Sequence, residues 1–313
     1  MSGLYDGMMA VYFTGTNVQP TPPTPGPDYT EPFYIENPNN SNIIGIIQQS
    51  NYRAPVITVE YSTDKTNWSV LGTTDNTLNV TITPNSKVYL RSITDGWSNG
   101  YNNLISATST FNIGGNIMSL LYGSNFTGNE TAFPGDGLTI FPFLALFSNN
   151  SNLTDISNLL LPATTLVSYC YAQMFKSCTS ITTAPELPAT TLTQGCYQYM
   201  FDGCTSLTTA PVLPATTLYD KSYMRMFQNC TSLTTAPELP ATTVINECYR
   251  EMFNGCSSLN YIKCLATDIS ATSCTSNWVN GVANSGTFVK DASMSSWTTG
   301  SSGIPTGWTV QDA

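Results

Sequence analysis

The stretch Cys196-Tyr197-Gln198-Tyr199-Met200-Phe201-Asp202-Gly203-Cys204-Thr205-Ser206-Leu207-Thr208-Thr209-Ala210-Pro211-Val212-Leu213-Pro214-Ala215-Thr216-Thr217-Leu218 recurs, with few changes, on both sides of itself at one constant interval. Aligned on Met-Phe, the copies sit at Met174-Phe175, Met200-Phe201, Met226-Phe227 and Met252-Phe253, 26 positions apart. A fixed period of this length predicts a solenoid, in which each unit buries its apolar face against its neighbours. Phe147 precedes Phe175 by one period and two further residues, and it heads a degenerate first copy in which Leu159-Leu160-Leu161-Pro162 replaces the Ala-Pro-x-Leu-Pro box. Five units are expected over about residues 141–266.

Within a unit, the Thr-Thr pair (Thr190 and Thr191, for example) offers a cap to a short helical stretch. Cys196, Met200 and Phe201 would then share its buried face. Ser177, Gly203, Asn229 and Gly255, two residues after each Phe, are placed to close that stretch in the left-handed conformation. Leu207–Ala210 reads as a short strand, ended by Pro211 and Pro214. The units should stack at about 4.8 Å, the inter-strand spacing.

The cysteines follow the same period. Cys178, Cys204, Cys230 and Cys256 form one ladder; Cys170, Cys196 and Cys248 form a second, with Ser222 in the vacant place. The total is nine, pairing between ladders would strand Cys230, and a spacing of eight residues is too wide for a zinc site. Buried thiols acting as small hydrophobes are the expected state. Met174, Met200, Met226 and Met252, with Tyr171, Tyr197, Tyr223 and Tyr249, are further packing rungs.

Outside the repeats, residues 1–17 form a short apolar segment, with Met8, Met9, Val11, Tyr12 and Phe13 as candidate attachment residues. Residues 18–30 are a proline-rich linker, stiff and extended. Residues 31–113 carry short alternating runs separated by turns, the pattern of a small antiparallel β-sandwich with a hairpin over Tyr61 to Trp68. Trp68 and Trp97 are its aromatic candidates for sugar contact, against the commoner reading as packing residues. Residues 114–140 are a Gly- and Asn-rich junction, and residues 267–313 a tryptophan-bearing C-terminal cap. The fold class expected is therefore mixed and β-rich: a sandwich, a short solenoid and a cap.

Composition narrows the function. Charged residues are 10% of the chain, and Thr, Ser and Asn supply the polarity instead. The net charge of −10 repels a phosphate backbone, so nucleic acid is not an expected partner. The chain has no histidine, which removes Ser-His-Asp and Cys-His catalysis and the commonest metal ligand. No EF-hand loop, phosphate loop or GxSxG motif is present. Glu186 and Glu238 recur at equivalent repeat positions, about 10 Å apart at the strand spacing, and periodicity accounts for both without glycosidase chemistry. No run of 18 apolar residues occurs, and Met1–Thr16 lacks the features of a secretory signal.

The Phe-x-x-Cys-x-x-Leu-x-x-Ala/Ile-x-x-Leu-Pro pattern resembles the leucine-rich repeats of the BspA type, found in surface proteins of Bacteroidetes and in phages that infect them. The likeness covers about residues 141–265. It extends to Trp278-Val279-Asn280-Gly281-Val282 and Gly303-Ile304-Pro305-Thr306-Gly307-Trp308, and to Glu60-Tyr61-Ser62 and Gly115–Leu120 before the repeats. The resemblance implies adhesion or recognition and brings no catalytic residues. Ligand contacts are sought where the copies differ: Tyr199, Tyr219, Lys221, Arg225 and Arg250 make a mixed aromatic-basic set suited to a glycan or protein.

The expected function is that of a non-enzymatic phage virion protein, such as a head fibre, capsid decoration or tail adhesin. A bacterial cell-surface adhesin, its signal peptide removed, is the alternative. The expected partners are a capsid or tail protein at the N-terminus and a host-surface polysaccharide or protein at the repeats. In a homo-oligomer, further copies of the chain would join them. Neither a membrane nor any cofactor or metal is expected.

Overall fold

Alternating apolar and polar residues place the first strands. The computed structural model describes residues 27–48, 58–71, 77–93, 104–134 and 141–313. The attachment segment, most of the proline-rich linker and Trp97 lie outside them. Among the described residues of the N-terminal half there are eight strands: β1 (Tyr34–Glu36), β2 (Ile43–Gln48), β3 (Val59–Ser62), β4 (Ser69–Val70), β5 (Thr77–Ile82), β6 (Lys87–Ser92), β7 (Leu104–Ala107) and β8 (Phe111–Asn116). They pair antiparallel throughout and divide between two sheets, with β5-β2-β7 in the smaller. Ile43 and Ile47 of the smaller sheet and Ile35, Val88, Leu90 and Ile113 of the larger belong to one hydrophobic cluster. Gly45 marks where the sheets meet closely, since a Cβ there would lie 3.3 Å from Ile35 Cδ1.

The hairpin expected over Tyr61 to Trp68 is present as β3–β4. Asp64 builds its turn, accepting hydrogen bonds from the backbone N–H groups of Thr66 and Asn67 at 2.9 and 2.7 Å. Lys65 sits there at φ +65°.

The larger sheet, ordered β4-β3-β6-β1-β8-β9, does not stop at residue 113. Its last strand, β9 (Leu153–Leu160), comes from the degenerate first repeat and pairs parallel with β8. The joint between the N-terminal strands and the repeats is thus a shared sheet rather than a linker. Phe33 touches Phe147 across it, with ring centroids 5.9 Å apart.

The repeats differ from expectation in local conformation. The stretch expected to be helical is a run of tight turns. A left-handed residue recurs every fourth position, as at Gly195, Tyr199 and Gly203, with φ of +57°, +57° and +77°. Alternate N–H groups serve two purposes. Those of Cys196, Gln198, Met200 and Asp202 bond back three residues, while those of Gly195, Tyr197, Tyr199, Phe201 and Gly203 reach carbonyls of the next unit. A continuous helix would consume those beyond its first turn internally and leave the units largely unlinked. The bonds between units offset the roughly 1–2 kcal/mol that each left-handed side-chain-bearing residue costs. The assignment of Ser177, Gly203, Asn229 and Gly255 to that conformation holds, at φ of +58°, +77°, +59° and +79°.

The predicted strand at Leu207–Ala210 shrinks to single bridges, Thr183 to Thr209 and Thr235 to Tyr261. Pro185, Pro211 and Pro237 follow at once and have no N–H to continue the ladder. Where those prolines are missing, full strands form. One is β9; the others are β10 (Tyr261–Cys264), β11 (Thr287–Lys290) and β12 (Thr309–Asp312), a parallel three-stranded sheet that begins at that same column.

The turn conformation also runs past residue 266, into the expected cap. Ser273, Asn277 and Gly281 repeat the left-handed positions at φ +53°, +50° and +77°. The N–H groups of Tyr249, Phe253 and Gly255 bond to Cys274, Trp278 and Asn280.

Inside, two columns of rings run the length of the repeats. Phe143, Tyr171, Tyr197, Tyr223 and Tyr249 form one, and Phe147, Phe175, Phe201, Phe227 and Phe253 the other. Neighbouring rings are within about 11° of parallel, with centroids 5.5–6.0 Å apart. That exceeds the 4.8 Å strand spacing because the rings stack with an offset. Both columns end on Trp278, which in turn packs on Phe288 and Trp297.

Candidate functional site

The interior repeats itself, so the side chains that vary from copy to copy lie on the outside. The left-handed positions supply them in register. One column reads Tyr169, Gly195, Lys221, Glu247, Ser273; the next reads Gln173, Tyr199, Arg225, Glu251, Asn277. Each residue stands one period from the next, so neighbours in a column belong to consecutive units.

Four of the five expected ligand residues meet there. The Arg225 guanidinium donates to the Tyr199 hydroxyl at 3.1 Å and lies 5.3 Å from the centre of that ring. Its other terminal nitrogen pairs with Glu251 at 2.7 Å. Arg250 reaches the same Glu251 at 3.2 Å and Glu247 at 3.5 Å. Lys221 lies between Asp220 at 3.5 Å and Glu247 at 3.9 Å. On the far side of Tyr199, Lys176 approaches its ring at 5.1 Å and pairs with Asp202 at 3.5 Å.

The set is therefore not a basic patch. Lys176, Lys221, Arg225 and Arg250 are matched by Asp202, Asp220, Glu247 and Glu251. The acidic partners and Lys176 are not among the expected ligand residues, although the period points to them. Lys176 to Asp202, Lys221 to Glu247 and Arg225 to Glu251 are each one repeat apart. Tyr219 stands outside the network. It is 54% exposed, and its side chain makes no hydrogen bond, ion pair or ring contact among the described residues.

The electrostatics follow from the pairing. The hydrogen bond to Glu251 raises the Arg225 pKa. Partial burial opposes ionisation of Glu251, but the bonds from Arg225 and then Arg250 outweigh it and hold the carboxyl below its ordinary value. Burial raises Asp202, with Lys176 working against the rise. Arg225 Nε is enclosed and has no acceptor among the described residues, so the network retains one unused donor.

The other candidates resolve more simply. Among the described residues, no group of three or more His, Cys, Asp or Glu is placed to hold a metal ion. All nine cysteines are buried and unpaired. Burial pushes Cys178, Cys196, Cys248, Cys256 and Cys264 up to about 12. Glu238 is held by Lys263 at 3.1 Å, and Val212, 79% exposed, occupies the equivalent position between Glu186 and Glu238. No described helix is long and apolar enough to cross a membrane.

No family model, curated protein or solved structure matches the chain.

Proposed function

We propose that this chain is a non-enzymatic recognition protein of a phage particle. In this reading it is a BspA-like leucine-rich-repeat solenoid carried on a small β-sandwich, with the N-terminal segment as its attachment to capsid or tail. The repeats display a surface for host polysaccharide or protein. The observation that carries the reading is the contrast between columns. Inward rungs are held to Cys, Tyr, Met and Phe, while the outward left-handed column changes through Gln173, Tyr199, Arg225 and Glu251. A charge-matched, partly exposed network suits a polar ligand that exchanges hydrogen bonds with the ion pairs. Repeated copies on a particle would make weak contacts effective through avidity.

The test compares host-cell binding by the wild type with binding by an Arg225→Ala/Arg250→Ala variant. Weakened binding with an unchanged melting temperature supports the face, and equal binding removes it. Deletion of residues 1–17 should abolish incorporation into virions, and detection only in bacterial outer-membrane fractions would favour the surface-adhesin alternative.

A further inference from the structure

The outer face of the larger sheet carries a second constellation, remote in sequence from the repeat columns. Alternation along β1, β3 and β6 sends Ile35, Val59, Val88 and Leu90 into the core, so Tyr34, Glu60, Lys87, Tyr89 and Arg91 point the other way. There the aromatic rings and cations pair off. Arg91 lies 4.1 Å from the centre of the Trp68 ring, Lys65 5.3 Å from Tyr89 and Lys87 3.8 Å from Tyr34. Tyr34 meets Tyr89 edge-on at 5.7 Å.

Two clefts open on this strip and share Glu31 as a wall. One, of about 510 Å3, is lined by Tyr29, Tyr34 and Lys87, by Asn158 of β9 and by Glu186 of the following repeat. The other, of about 300 Å3, is lined by Trp68, Lys65 and Arg91. Beside the first cleft, the β8–β9 pairing shifts register between Asn112 and Gly114, and Asn158 is the partner of Gly114. Irregularities of this kind re-aim side chains.

We infer that this strip binds a neutral polysaccharide segment. The argument rests on which groups are already satisfied. Arg91 is taken by Glu60 at 2.6 Å, Lys65 by Glu31 at 3.7 Å, and Lys87 is spent on the Tyr34 ring. Asp28 accepts from the hydroxyl and backbone N–H of Thr30. The side chains of Tyr29, Asn158 and Glu186 line the larger cleft and make no hydrogen bond or ion pair among the described residues. An amide, a phenol and a carboxylate exchange hydrogen bonds with sugar hydroxyls. Trp68 and Tyr29 offer ring surface to the C–H faces of pyranose rings. A polyanion would find no free cation pair among the described residues of the strip and would meet a chain of net charge −10. The smaller cleft extends the site past Glu31, so the ligand is a chain of sugars rather than a single one.

The test is affinity electrophoresis of the full chain through gels containing dextran, mannan, galactan, xylan or mixed-linkage β-glucan. Polygalacturonate and hyaluronate serve as anionic comparators. Retardation by at least one neutral polymer is expected, little changed between about 50 and 500 mM salt. Trp68→Ala and Asn158→Ala should each weaken it about tenfold with an unchanged melting temperature, and Lys263→Ala, which removes only the partner of Glu238, should leave it intact. Retardation by the anionic polymers alone, no retardation at all, or full binding by both sheet variants overturns the inference. Loss with Tyr199→Ala or the Arg225→Ala/Arg250→Ala variant, but not with the sheet variants, places glycan binding on the repeats and sinks only the sheet site.

Discussion

The Cys230 thiol donates a hydrogen bond to the carbonyl oxygen of Phe201 across 3.1 Å and 29 residues of chain. The same oxygen accepts the backbone N–H of Cys204 at 3.0 Å. The arrangement repeats from Cys178 to Phe147, Cys204 to Phe175 and Cys256 to Phe227, at 2.9–3.0 Å. The ladder thiols are therefore weak donors that tie each unit to the one before, as well as small apolar fillers. Sealed in this way, they should be inert. Native protein treated with a thiol-specific aromatic disulfide at neutral pH should release almost no chromophore, and denatured protein should titrate all nine cysteines. Rapid native reaction of Cys178, Cys204, Cys230 or Cys256 would show that the ladder is open to solvent.

The same burial makes stability depend on alkali. Cys178, Cys196, Cys248, Cys256 and Cys264 ionise near 12 when folded, against an ordinary value of 9.0. A raised folded pKa means that the native state keeps protons which the unfolded state has released. The stabilisation is thus fully present below pH 9 and is lost progressively as pH climbs towards 12. Each such thiol contributes a slope of about −1.4 kcal/mol per pH unit in that window. Tyr171, Tyr197, Tyr223 and Tyr249, all pushed upward chiefly by burial, add to the fall above pH 10. Denaturant midpoints measured from pH 7 to 11 should hold level to about pH 9 and then drop steeply. A flat profile to pH 11 would contradict the buried ladder.

Much of this architecture was legible because a repeated sequence reports its own registers. The rungs Cys204, Met200, Phe201 and Tyr197 needed only the period to be placed inside, and Gly203 and Asn229 announced their left-handed backbone by residue type. The same conformation at Tyr199, Lys221, Arg225 and Glu251 was hidden, since nothing intrinsic to those residues favours it. Bonds to the following unit impose it. Prolines were read as strand ends, but their absence from Leu153–Leu160 and Tyr261–Cys264 was the stronger signal, marking where real strands would form. Cys274 lies one period after Cys248, so the sixth turn was written in the sequence and was obscured by Trp278 in the Met position. In the candidate site the period pairs Lys176 with Asp202, Lys221 with Glu247 and Arg225 with Glu251, and Asp220 and Glu251 also adjoin Lys221 and Arg250 in the chain; a search for cations and aromatics alone leaves these carboxylates out.

Ser222 interrupts the second cysteine ladder. It is fully buried, and its hydroxyl has no hydrogen-bond partner among the described residues. A hydroxyl left unsatisfied in an apolar interior costs about 1–3 kcal/mol. The backbone already matches the positions of Cys196 and Cys248, which accept a thiol without strain. Ser222→Cys should therefore stabilise the protein by about 1 kcal/mol, seen as a higher urea midpoint with an unchanged slope. A lower midpoint would mean that the hydroxyl is satisfied, for instance by a buried water.

Trp278 is where both ring columns stop. It packs on Tyr249 and Phe253 from the repeats and on Phe288 and Trp297 from the C-terminal segment, while its indole N–H donates to the Gly303 carbonyl at 2.8 Å. Removing the ring would open a void between the last turn and the β10–β12 sheet and leave the Gly303 carbonyl without that donor. Trp278→Ala should cost about 3–5 kcal/mol, as large-to-small changes at fully buried aromatics do. Position separates this from a general core defect. Where units bond mainly to their neighbours, damage at one end propagates weakly to the other. Amide hydrogen exchange should quicken most in Thr287–Lys290 and Thr309–Asp312, next in the turn around Tyr249, and least in β8 and β9. Equal acceleration in β8 and at the C-terminal strands would show that the chain unfolds as one cooperative block and that Trp278 does not act as an end plate.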